Sequence, residues 1–271
     1  MTDNPIGDYL RARRAQMRPE DVDIAVNSHR RVKGLRRDEL AVLAGISTEY
    51  YTRLEQGRDR HPSVRVLDAI ARALKLDSAA TAYLHGLAEP QPRRGVATTE
   101  QIRPSVVRLL EAWEHTPAFI QGRYLDVLAA NRLAGALSPL YRPGVNLLRA
   151  ALLDSAAEAV GASEHVRSMI GILRTAAGAQ LDDPRLTELV NELTTKSAVF
   201  RRCWRQHEVV SRPVTGIHQV RHPLVGDLEL RYDKFLVAGA EDQMLVVYQA
   251  EPNTPAAEAL SSLCEHVALP K

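Results

Sequence analysis

Three groups of residues have the types and spacing to do chemistry. The first is a run of cations: Arg30, Arg31, Lys33, Arg36 and Arg37 place five positive charges within eight residues. Such a density attracts a polyanion, and it is equally what a solvated basic loop looks like. The second group is Cys203 and His207, four apart, with His218 and His222 four apart farther on. That spacing invites a zinc ion, but two residues four apart on one strand sit about 13 Å from each other, too far to share one. The third, Ser163-Glu164-His165, joins residue types used in acid–base and nucleophilic catalysis. Adjacent helix positions diverge in direction, so this triplet reads as a helix start. The chain has no glycine-rich phosphate loop, no Gly-x-Ser-x-Gly elbow and no His-Glu-x-x-His helix, the local geometries that cradle phosphate, expose a nucleophile or hold a catalytic metal. No catalytic residue, cofactor or metal is assigned, and the chain does not read as an enzyme.

Those residues are carried on 271 positions, enough for two modest domains that each bury a core. No window approaches the roughly 18 uncharged apolar residues of a membrane span. Met1 to Arg14 is polar and lacks the apolar stretch of a secretory signal. Two cysteines, Cys203 and Cys264, form no disulfide framework. A cytoplasmic protein without a membrane partner is expected. The total charge of +2 hides an asymmetry, because residues 1–95 carry 17 Lys and Arg against 13 Asp and Glu.

The front of the chain reads as five small helices. Ile6, Leu10 and Met17 recur at helical spacing and predict a helix over 6–17 that shows Arg11 and Arg13 to solvent and stops before Pro19. A second helix over 36–44 buries Leu40 and Leu43 and carries Asp38 and Glu39 in its first turn, where the helix dipole favours acids. Gly45-Ile46-Ser47 is a tight turn, and Ser47 is a good N-cap for a third helix, 48–56, which buries Tyr51 and Leu54 and ends at Gly57. A fourth helix after Pro62-Ser63 has Leu67, Ile70, Ala71 and Leu74 on one face, and a fifth covers about 78–87.

Asp38-Glu39-Leu40-Ala41, Ala44-Gly45-Ile46-Ser47 and Tyr50-Tyr51-Thr52-Arg53-Leu54-Glu55-Gln56-Gly57 resemble the helix-turn-helix of the Xre/Cro family of repressors, over roughly residues 6–88. The resemblance implies an all-α DNA-binding domain whose second motif helix lies in the major groove with its first residues at base edges. Thr48, Glu49 and Arg53 then face bases: Arg53 donates twice to guanine, Glu49 accepts from cytosine or orients Arg53, and Thr48 touches a thymine methyl or a phosphate. Ser47 caps this helix and Tyr50 reaches a phosphate, whereas Tyr51 packs inward. The resemblance places further backbone contacts at Arg37, Arg58 and Arg60, which set register and not sequence. It also implies that Arg14 pairs with Glu55. The long connection 18–34, with Arg30, Arg31 and Lys33, is either an arm against the DNA or a solvated loop.

Glu89 to Gln101, with Pro90, Pro92 and Gly95, breaks every periodicity and reads as a linker over 89–102. Beyond it come a connecting helix through Val106, Val107, Leu110 and Trp113, and a hairpin of 118–121 and 124–128 around Gly122. Helices follow at about 130–137, 147–153, 164–177, 184–193 and 197–206. Strands at 214–221, 228–237 and 244–250 and a closing helix over 254–267 complete the order. Residues 103–271 therefore form an α+β domain with a small antiparallel sheet.

Asn131-Arg132, Phe200-Arg201-Arg202-Cys203-Trp204 and His222-Pro223-Leu224-Val225-Gly226, in that order, resemble the MmyB-like regulators. The resemblance implies that 103–271 is PAS-like and binds or senses a small apolar, fatty-acid-like ligand. Trp113, Phe119, Phe200, Trp204, His207, His222 and Tyr232 are the candidate pocket residues, against a background in which most large side chains are simply core. The reading that results is a transcriptional regulator that binds an operator in double-stranded DNA through 1–88, as a homodimer, under control of a small molecule. The alternatives make the rear domain a dimerisation or protein-docking platform, or an uncharacterised enzyme.

Overall fold

A computed structural model describes residues 4–24, 32–59, 61–89, 100–153, 164–178, 183–211 and 213–268. Contacts divide the chain into two units, residues 1–96 with 162–211, and residues 97–161 with 212–271.

The first unit contains the five expected helices: α1 (Pro5–Gln16), α2 (Arg37–Ala44), α3 (Thr48–Glu55), α4 (Val64–Ala73) and α5 (Ser78–Ala88). Local chemistry sets their ends. Pro5 opens α1 where no backbone donor is needed, and Asn4 accepts from the Gly7 amide at 3.1 Å. The Glu39 carboxylate returns to the Arg36 amide at 2.6 Å to start α2, and Gly45 ends it at φ +66°, a left-handed conformation that glycine adopts without a Cβ penalty. Ser47, Ser63 and Asp77 each cap the following helix. Tyr9, Leu10, Leu40, Tyr51, Leu54, Ile70, Leu74 and Leu84 form the core these helices share. Leu43 departs from expectation. It is 39% exposed, and Ala41 and Ala44 are buried instead. At 100° per residue, Leu40, Ala41 and Ala44 define a stripe from which Leu43 points away by roughly 100°.

The same unit includes three later helices: α9 (Glu164–Ala177), α10 (Pro184–Lys196) and α11 (Ala198–Arg205). By contacts these helices group with the five front helices. The reason is a tertiary contact that periodicity does not reveal: Val209, just after α11, is buried in the helix-turn-helix core, and Gln16 donates to the Gln206 carbonyl.

In the second unit, α6 (Pro104–Glu111) precedes β1 (Ala118–Gln121) and β2 (Val127–Ala130), followed by α7 (Arg132–Leu137) and α8 (Leu147–Leu153). The remaining strands are β3 (Thr215–His222), β4 (Gly226–Val237) and β5 (Ala240–Gln249), before α12 (Pro255–Ala268). All five strands pair antiparallel in the order β2-β1-β5-β4-β3. β2 starts later than expected because the turn takes up Tyr124 to Asp126, with Gly122 N–H bonding the Asp126 carbonyl at 2.8 Å. On one face, Phe119, Tyr141 and Tyr248 stack at 4.8 and 5.3 Å under Leu260 and Leu263 of α12. Burial pushes the Tyr141 phenol up to about 12. Buried Asn131 ties the unit together: its Oδ1 accepts from Ala118 and Ala134, and its Nδ2 donates to the Trp113 and Thr116 carbonyls. Among the described residues, no helix is long and apolar enough to cross a membrane.

Candidate nucleic-acid interface and cavity

Helix α3 is two-faced. Tyr51, Leu54 and Glu55 are fully buried, while Ser47, Thr48, Glu49 and Arg53 are exposed and Tyr50 is half-buried. The turn and its cap produce this division, because the Ser47 hydroxyl accepts the Tyr50 amide at 3.1 Å and so fixes which residue of the Tyr50-Tyr51 pair turns inward. The Arg53 guanidinium lies 5.8 Å from the Tyr50 ring centre and makes no hydrogen bond among the described residues. An exposed helix with a guanidinium, a hydroxyl and a carboxylate at its leading end has the functional groups that read base edges.

The buried end of α3 is held by charge. Glu55 receives Arg14 through two bonds at 2.9 Å and Arg37 through bonds at 3.0 and 2.8 Å, with the Arg11 Nε at 3.6 Å. Burial pushes the Glu55 carboxyl up, but bonds from Arg14 and then Arg37 outweigh it and hold the group below the usual carboxylate range. The Arg14 pair was expected. Arg37 was expected at a phosphate, and its side chain instead commits two nitrogens to Glu55 while remaining 43% exposed. Sequence reasoning missed Gly7: a Cβ there would lie 2.4 Å from the Glu55 carbonyl, so glycine lets α1 meet the end of α3. That carbonyl also accepts from Asn4 at 3.1 Å. Arg58 is exposed. Arg60, Arg30, Arg31 and most of the 89–102 linker lie outside the described residues.

The seven candidate pocket residues are not brought together in one unit. Phe200, Trp204 and His207 belong to the first, and Trp113, Phe119, His222 and Tyr232 to the second. Phe119 is core beneath Tyr141. Buried His222 is an internal brace, its Nε2 3.0 Å from the Ala136 carbonyl and its Nδ1 accepting the Leu224 amide. The second unit does contain a cavity of about 440 Å³, lined instead by residues at the end of β5, the approach to β1 and α12. Its wall mixes apolar Ala250, Ala257 and Leu260 with His115, Ser261 and Cys264.

Comparison with known families finds two matches. Residues 5–84 match a helix-turn-helix domain, and residues 102–263 match the MmyB-like transcription regulator ligand binding domain. The chain belongs to the MmyB-like transcription regulators. No curated protein gives a significant match. The regulator thus pairs a DNA-binding domain with a ligand-binding domain, and both expectations of family are met.

In the first unit, two candidate residues of the regulator, Trp204 and His207, meet Arg174 of α9. Arg174 is 5% exposed, its guanidinium lies 3.8 Å from the Trp204 ring centre and donates to the Trp204 carbonyl, and its Nη1 is 3.2 Å from His207 Nδ1. Trp204 in turn stacks on Phe200 at 5.2 Å. These residues build a buried cationic joint, with the Arg174 charge also acting on Tyr83 of α5. Burial first, and then the Arg174 charge, pull the His207 imidazole down to about 4. The unfolded chain takes up this proton near pH 6.5 and the folded one only near 4, so the stabilisation is complete above 6.5 and is lost as pH falls between those values. After allowance for solvent screening, the expected loss is about 1–2 kcal/mol. Urea unfolding at pH 7.5, 5.5 and 4.5 measures it, and H207Q should flatten that part of the profile.

Proposed function

We propose that the regulator binds a specific operator by inserting α3 into the major groove, with Thr48, Glu49 and Arg53 at base edges and Ser47 and Tyr50 at the backbone. The single observation that carries this reading is the division of α3 into a buried face of Tyr51, Leu54 and Glu55 and an exposed face bearing Arg53. Arg58 and Arg60, just beyond α3, supply phosphate contacts, and Arg37 does so with the nitrogen that Glu55 leaves over. One recognition helix reads only a few base pairs, so the regulator acts as a homodimer with two heads about 34 Å apart on the duplex. Such a protein works where the DNA is, in the cytoplasm. A small ligand with an apolar body, held in the cavity of the second unit against Leu260, Ala257 and Ala250, controls it.

Selection of bound duplexes from a random pool tests the DNA reading. A two-fold symmetric motif with half-sites one helical turn apart is expected; recovery of no enriched sequence overturns the proposal. Arg58→Ala should weaken binding to motif and random duplex alike and reduce the salt dependence by about one counterion in a titration of affinity against salt. A loss confined to the selected motif would remove Arg58 from the phosphate contacts.

A further inference from the structure

The cavity of the second unit holds a thiol and an imidazole in hydrogen-bonding contact. Cys264 Sγ on α12 lies 3.1 Å from Nδ1 of His115, and both residues line the same space of about 440 Å³. The Glu114 carbonyl, 3.2 Å away, is a second acceptor for the thiol proton. His115 is carried on the segment between α6 and β1 and is otherwise exposed, whereas Cys264 is 9% exposed and meets its surroundings at the cavity wall. Cys264 belongs to the edge of the apolar core and also borders open volume, with a proton acceptor beside it. The only other cysteine, Cys203, is also buried, lies in the first unit and does not line this cavity.

We propose that this cavity is a covalent capture site for a soft carbon electrophile, an α,β-unsaturated carbonyl compound with a short apolar tail, with Cys264 as nucleophile and His115 as proton carrier. In the tautomer protonated at Nε2, His115 Nδ1 accepts the thiol proton as Sγ attacks the β-carbon. The S–C bond forms, the C=C π pair moves through the α-carbon onto the carbonyl oxygen, and the imidazolium returns its proton to the α-carbon. The net change is addition of S–H across the double bond, with no leaving group and no oxidant. Apolar Leu260, Ala257 and Ala250 receive the tail, and Ser261 and Thr116 supply hydroxyls to the carbonyl end. This rests on reading the cavity as the ligand-binding site, but the covalent step is separable from that reading.

The test uses the full chain and 3-nonen-2-one as the probe, followed by intact-mass measurement and peptide mapping, with its saturated analogue 2-nonanone as a non-reactive ligand. One adduct per chain at Cys264 is expected, with Cys203 reacting only after denaturation. His115→Asn should slow the addition by about 100-fold and alter its pH dependence without moving the melting temperature. Adduct formation only in denaturant, equal rates at the two cysteines, or an unchanged rate in the His115 variant overturns the covalent proposal. A rise in melting temperature with 2-nonanone tells the two failures apart. If the unaltered chain shows this rise but forms no adduct, the ligand site stands and the chemistry falls; if neither occurs, both fall.

Discussion

Glu55→Ala should destabilise the first unit by about 3–5 kcal/mol, the cost of removing one partner from a buried charge cluster. The carboxylate is fully buried, and Arg14 and Arg37 both hydrogen-bond it. Truncation leaves Arg14, only 14% exposed, with its bond to the Leu35 carbonyl but without its anion. Urea unfolding followed by circular dichroism measures the loss, and a change below about 1 kcal/mol would show that the cluster breaks even against solvent. DNA binding should fall with it, in proportion to the unfolded fraction and equally on every sequence. The same physics gives an acid limb. The folded carboxyl titrates below its ordinary value of 4.5, so its contribution is present above that value and disappears as pH falls through the lower folded value.

Arg53→Ala should leave folding untouched and cost about 1–3 kcal/mol of binding to the selected operator, roughly 5- to 150-fold in Kd. The side chain is exposed, and its contact within the protein is the Tyr50 ring at 5.8 Å, so little stability depends on it. Affinity measured against operators altered one base pair at a time should show preference relaxed at a single position, because a bidentate guanidinium distinguishes guanine by its two acceptors. An equal loss on all sequences, random duplex included, would make Arg53 a phosphate contact and remove it from base reading. The contrast with Glu55 is informative: two residues apart on one helix, they separate holding the helix from using it.

How far the fold could be read depends on the range of the interaction concerned. The Gly45-Ile46-Ser47 turn, the caps at Ser47 and Ser63 and the inward turn of Tyr51 are decided within four residues, and all stand in the structure where local chemistry places them. The strand order was accessible only in part, since alternation at Leu228, Leu230 and Tyr232 marks a strand but not its neighbours. Leu43 misled because a helix of eight residues has too few turns to define a stripe uniquely. Arg37 at Glu55 depends on a pairing 18 residues apart, invisible to helical periodicity. Of the large aromatic residues chosen for a pocket, Phe119 and Phe200 are buried. The cavity wall combines Tyr248 and Leu260 with small and polar residues such as Thr116, Ala257 and Ser261, and the latter carry no periodic signature. His115 and Cys264 are 149 positions apart and meet only through the sheet and α12.

Because the chain leaves the helical unit near residue 96, returns at 162 and leaves again at 211, three covalent strands tie it to its neighbour. A protease that nicks the stretch around residue 95 would cut the covalent link of residues 1–95, which would then be held only by packing against 162–211. A gene shortened to its first 96 codons would yield a head lacking the plug that Val209 supplies. The reading head is woven from distant parts of the polypeptide, and it has to be inherited whole.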